Sequence, residues 1–343
     1  MNSTVENEVV RVGIIGLGKM GILHAGILNA LVGSKVVAIC EREGLLRRVG
    51  KKVLQEISFY DNPSDMVRDQ ELDAVYITTP IQSHAPIVHE LSGLGRKVSL
   101  FIEKPLAGSL SEAGQIVSGS KTLGTINMIG FQKRFLPQFG RVKKLLAAHA
   151  LGEILFFHGY SLVSGVFSKG GGWRFEKGQG GSLLDLGPHL IDLLLWYFGE
   201  PSKIRAWERS FYSDKVEDFS HLVFDFDSGL IGHTDVSWSI GGYRIPETQI
   251  EIHGKNGSLV VNDDFLSLRI LEDVPGVINA GATIQRKPEL VHGVDFVLGD
   301  PEYCIEDKYF LDCVRHGTSP VPGLDAGLKV SKIIEEAHKQ GAN

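Results

Sequence analysis

The chain has 343 residues, 43% hydrophobic and 22% charged, with a formal net charge of −6; this is an ordinary globular composition, long enough for two cores. The negative balance argues against non-specific nucleic-acid binding and against anionic membrane surfaces, both of which favour basic proteins. Cys40, Cys304 and Cys313 are odd in number and never spaced CxxC. They argue against a disulfide framework and a structural zinc site and fit a reducing cytoplasm, the expected location.

The opening MNSTVENEVV carries two acids and no base, unlike a signal peptide. Residues 9–15 are a β-branched run ending in glycine, a buried-strand signal, and a glycine-rich turn and a helix over 22–31 follow. The stretch 12–40 is broken by Lys19, His24, Asn29 and Lys35, so it reads as strand–turn–helix–strand and not as a membrane span. Strands are predicted at 35–40, 74–78, 98–102 and 125–131, and helices at 45–54, 86–94 and 111–118. That alternation implies a parallel sheet of βαβ units. Beyond about residue 135 the rhythm changes. A helix at 138–148 precedes longer alternating runs at 154–162, 204–211, 218–226, 229–238, 248–254 and 258–262, which read as an antiparallel sheet of hairpins. A helix over 188–198 should stop at Gly199 and Pro201. Another is expected over 324–339, with its packing partner open. The expected domains are therefore 1–133 and 134–343.

Gly16, Gly18 and Gly21 form GxGxxG after a strand and at the start of a helix, with Lys19 and Met20 inside the motif. The first glycine allows a tight turn, the second lets backbone approach a pyrophosphate, and the third lets helix and strand pack closely. The helix start offers free N–H groups to phosphate. The next strand ends at Glu41, 20 residues after Gly21, where an acid accepts hydrogen bonds from ribose hydroxyls. Arg42 follows; it would either receive a 2′-phosphate or be a solvated charge, the two readings standing equal. The expected cofactor is NAD(H) or NADP(H), with Glu41 favouring NAD.

The segments GLGKMG, TTPIQSHAP, FIEKP, GFQKRFLP and GGSLLDLGPHLID follow one another in this order. Together they resemble the glucose–fructose oxidoreductase / inositol dehydrogenase / rhizopine catabolism (Gfo/Idh/MocA) family over nearly the whole chain. The resemblance implies an α/β fold: an N-terminal Rossmann domain and a C-terminal α+β domain with a large open antiparallel sheet, which would assemble into a homodimer or homotetramer. It implies that Lys104, after Glu103, is the catalytic lysine, and that Asp185 and His189 belong to the reaction site. It also implies that Thr79, Pro80 and His84 line the cofactor cleft and that Arg134, Trp173 and Arg174 lie near the cofactor. No metal ligand set is expected.

Chemically, His189 in a helix first turn would be the acid/base, since the helix dipole disfavours imidazolium. Lys104 would hydrogen-bond the substrate oxygen, and Asp185 would either bind substrate or orient His189. Asp192 reads as a structural hydrogen-bonder. The expected substrate is a sugar, inositol or similar polyol. An NAD-dependent glycoside-cleaving enzyme and a non-catalytic dinucleotide-binding regulator remain as alternatives.

Overall fold

The computed structural model describes residues 9–124, 126–169, 171–177, 180–292 and 300–341. The chain divides into two units, one of Met1–Phe131 and Val294–Lys329, the other of Gln132–Gly293 and Val330–Asn343.

In the first unit the elements run β1 (Val10–Ile15), α1 (Lys19–Ala30), β2 (Ser34–Cys40), α2 (Gly44–Val53), β3 (Ser58–Tyr60), α3 (Pro63–Asp69), β4 (Ala74–Ile77), α4 (His84–Ser92), β5 (Ser99–Glu103), α5 (Leu110–Leu123) and β6 (Asn127–Gly130). The six strands are all parallel, in the order β3-β2-β1-β4-β5-β6. This is the doubly wound arrangement, whose strand order reverses direction between β1 and β4. The inner strands are buried along nearly their whole length, which is why they are continuous apolar runs. Register places Ile15 beside Ile77 and Ile77 beside Ile102, so the loops leaving β1, β4 and β5 start side by side at one sheet edge. That is the edge where open parallel sheets bind ligands.

The second unit holds α6 (Pro137–Ala147), β7 (Ile154–Leu162), α7 (Ser182–Asp185), α8 (Gly187–Phe198), β8 (Lys203–Arg209), β9 (Phe219–Asp225), β10 (Ile231–Ser237), β11 (Glu247–Gly254), β12 (Gly257–Val261), β13 (Phe265–Ile270), β14 (Gly281–Arg286) and the short α9 (Lys287–Leu290). Its eight strands follow the order β14-β13-β12-β11-β7-β10-β9-β8. The sheet departs from the antiparallel expectation at one pair, β7–β10, which runs parallel. The connection from β7 through α7 and α8 is long enough for a crossover. It lands β8 at the far edge, and two antiparallel steps return the chain to lie beside β7. Burial alternates along β9, β11 and β12, so one face is core and the other is open. α8 packs on β7, and α6 on β12 and β13.

Two later helices complete the chain. α10 (Pro301–His316) belongs to the first unit and packs on α1 and β1. α11 (Leu324–Gly341) begins in the first unit and continues in the second. Among the described residues no helix is long and apolar enough to cross a membrane.

Candidate active site

The first unit carries the glycine turn. Gly16 has φ +97°, and its N–H donates to the Cys40 carbonyl at 2.8 Å. A Cβ at Gly21 would overlap the Gly16 carbonyl oxygen. A Cβ at Gly18 would meet nothing within 4 Å. Gly18 and Lys19 are exposed at the start of α1, Met20 is half-buried, and the first turn holds no acid and no side-chain cap. Its N–H groups are therefore left for an anion, and the space over Gly18 fits the close approach of a pyrophosphate.

Glu41 has two structural partners the sequence did not reveal. One oxygen accepts from the Leu17 N–H at 2.7 Å and the other from the Glu43 N–H at 2.8 Å. It thus braces the glycine turn from the end of β2. A carboxylate offers about four acceptor sites, so lone pairs remain for ribose hydroxyls. Arg42 is exposed.

Thr79 and Pro80 leave β4 half-buried and exposed respectively. The His84 ring is 1% exposed, with its nitrogens 2.9 Å from the Thr79 carbonyl and 3.1 Å from the Leu106 carbonyl. Burial pushes its pKa down against those two contacts. His84 therefore ties the loop after β4 to the loop after β5. Glu103 ends β5, and one of its oxygens accepts from the Lys104 backbone N–H at 3.0 Å.

In the second unit, Pro188 sits in the first turn of α8 and Gly199, at φ +83°, caps its end. His189 lies in that first turn, 7% exposed, with Nε2 3.3 Å from Gln132 Nε2. Asp185 closes α7, 8% exposed, and Arg174 Nε stands 3.3 Å from its Oδ2. The Trp173 side chain lies outside the described residues. Arg134 has a structural partner in the same unit. Its guanidinium grips Asp192 through two bonds of 2.6 and 2.7 Å and lies over the Trp196 ring. Burial raises the Asp192 carboxyl to about 6 against the pull of Arg134.

Two groups of residues escaped the sequence reading. Glu217 fastens the start of α7. Its carbonyl accepts from Ser182 N–H at 3.1 Å and its carboxyl from Leu183 N–H at 2.8 Å, and burial raises that carboxyl to about 7. His24, wholly buried, lies between Glu103 and Asp307. A signal for Asp307 existed, since it falls on the stripe Tyr303, Asp307, Phe310, Val314 of α10.

Two family models match this chain. "Oxidoreductase family, NAD-binding Rossmann fold" covers residues 10–131, and "GFO/IDH/MocA C-terminal domain" covers 139–260. The chain is 26% identical to scyllo-inositol 2-dehydrogenase (NAD(+)) of Bacillus subtilis, over 94% of this chain and 91% of that protein. It is 27% identical to levoglucosan dehydrogenase of Pseudarthrobacter phenanthrenivorans, over 74% and 73%. Its fold superposes on a levoglucosan dehydrogenase solved with NADH and levoglucosan with a TM-score of 0.85, at 23% identity and 98% coverage of both chains. With the glycine turn, the doubly wound sheet and the second-unit sheet all in place, the chain belongs to the Gfo/Idh/MocA family of NAD-binding oxidoreductases.

Proposed function

We propose that this protein oxidises a secondary alcohol of a sugar, inositol or similar polyol, or reduces the matching ketone, with Lys104 polarising the substrate oxygen and His189 moving its proton. The observation that carries the reading is the position of Lys104, directly after β5 at the sheet edge that bears the glycine turn, with its backbone N–H held by Glu103. Bound NAD supplies the hydride acceptor; the protein holds and polarises the alcohol. A lysine ammonium stabilises developing alkoxide charge, and an imidazole beside the alcohol takes the proton. Asp185, paired with Arg174, lies four residues before His189 and would bind a substrate hydroxyl or orient the imidazole.

The inositol and levoglucosan dehydrogenases among the relatives support the substrate class. The open face of the second sheet exposes Phe156, Trp207 and Ile231, which supports a homo-oligomer. Three buried free thiols fit a reducing compartment such as the cytoplasm.

The test is NADH formation at 340 nm with scyllo-inositol, myo-inositol, levoglucosan and apiose, after fluorescence titration with NADH and NADPH. Lys104→Ala and His189→Ala should each lower turnover by on the order of 10²-fold or more while cofactor binding persists. Full activity in either variant removes that residue from the mechanism. Glycoside cleavage without net NADH would replace the dehydrogenase reading.

A further inference from the structure

We propose that His24 is a positioning residue for Lys104, acting through Glu103 in a buried array Asp307–His24–Glu103; the role rests on the reading of Lys104 given above. His24 lies on α1 and is 0% exposed. Its Nε2 is 2.9 Å from Glu103 Oε1, and its Nδ1 is 2.9 Å from both oxygens of Asp307. Burial raises the Asp307 carboxyl and the His24 charge opposes that rise; with both carboxyls ionised their oxygens only accept, so both ring nitrogens carry hydrogen and the ring is an imidazolium. Burial alone would strip that proton; Asp307, and then Glu103, hold the pKa well above its ordinary value. The rings of Phe101 and Tyr76 pack at 5.1 and 5.3 Å and confine the imidazole.

Glu103 carries the effect onward, because its second oxygen receives the Lys104 N–H. The peptide bearing Lys104 is thus the end of a line of charge-assisted hydrogen bonds anchored in α10, 203 residues further along the chain at Asp307. The next carboxyl on α10, Glu306, is wholly buried with neither oxygen hydrogen-bonded among the described residues, and burial drives it toward the neutral acid. The cation of His24 is therefore shared between Glu103 and Asp307. Removing it frees the Glu103 carboxyl to swing and leaves the Lys104 peptide without a fixed acceptor.

The test uses the full chain with His24→Gln, Glu103→Gln, the double variant, and Asp307→Asn. The first readout needs no substrate: the rate of Lys104 acetylation by acetic anhydride, read by peptide mass spectrometry against exposed Lys52. His24→Gln should change that ratio by about threefold or more, and the double variant should change it no more than Glu103→Gln alone, the non-additivity of residues acting in series. In polyol oxidation, His24→Gln should lower kcat by about tenfold with KM and NADH affinity within about twofold. An unchanged ratio in folded protein, or additive effects in the double variant, overturns the proposal. Asp307→Asn repeats the test should His24→Gln fail to fold. In the unmodified protein, a His24 ring found neutral at about pH 7 by ¹⁵N NMR also overturns it. If no polyol is oxidised while Lys104 labelling still follows His24, the dehydrogenase reading falls and the positioning stands.

Discussion

Replacing Arg134 with Met removes the cation facing Asp192 while keeping the apolar stem over Trp196. The two side chains are 9% and 2% exposed, so no solvent takes the guanidinium's place. Breaking such a buried pair from one side costs about 3–5 kcal/mol. A domain of this size loses about 2–4 °C of Tm per kcal/mol, which predicts a drop of roughly 6–20 °C near neutral pH. The deficit should depend on pH. With Arg134 present, Asp192 titrates at about 6, already raised by burial; without Arg134 it rises further. Above about pH 6 the intact protein keeps Asp192 ionised, whereas the variant must hold a proton that its unfolded chain has lost. The deficit therefore grows by about 1.4 kcal/mol per pH unit from about pH 6 up to the variant's own pKa, and it levels off at its smallest value below pH 6, where both folded forms are protonated. Thermal unfolding by circular dichroism at several pH values between 5 and 8 measures this. The double variant Arg134→Met/Asp192→Leu should recover most of the loss. A Tm change under about 3 °C at every pH, or a deficit independent of pH, would refute the buried-pair argument.

The glycine turn separates folding from binding. Gly21→Ala places a Cβ against the Gly16 carbonyl and should destabilise the first unit by about 1–3 kcal/mol, read from denaturant unfolding. Gly18→Ala meets nothing within 4 Å and should leave stability nearly unchanged while weakening NADH binding by about tenfold or more, read by fluorescence titration. Equal effects in both assays would contradict this division. Burial pushes the Cys40 thiol up to about 12, so a thiol reagent at pH 8 should modify it only after denaturation. Rapid labelling of the native protein would show that the strand end is open.

The strands of the first sheet were legible because burial on both faces leaves an unbroken apolar run, as in Ala74–Ile77 and Ser99–Glu103. Two elements of the same unit escaped. β3 is three residues long and not fully buried, and α3 spans only seven; neither is long enough to show a period. In the second unit the alternating runs announced β7 to β12 because one face is core and the other open, yet the alternation carries no strand direction. The parallel pairing of β7 with β10 is therefore invisible in it.

The site divides the same way. Gly16, Gly18, Gly21 and Glu41 stand out in the sequence because backbone geometry and short-range spacing constrain them, and both act within a few tens of residues, whereas Lys104 stands out only through the resemblance of its FIEKP segment to the family. The sequence by itself thus determined the dinucleotide turn, the alternation of strands and helices that makes a doubly wound sheet, and the helix start that holds His189. Only the tertiary structure decided that Arg134 spends its charge on Asp192, that Glu41 braces Leu17, and that His24 meets Asp307, 283 residues away in sequence. Arg134, Asp192, His24 and Asp307 are charges taken out of water, which must find partners wherever folding brings them within hydrogen-bond reach, and no local spacing encodes that distance.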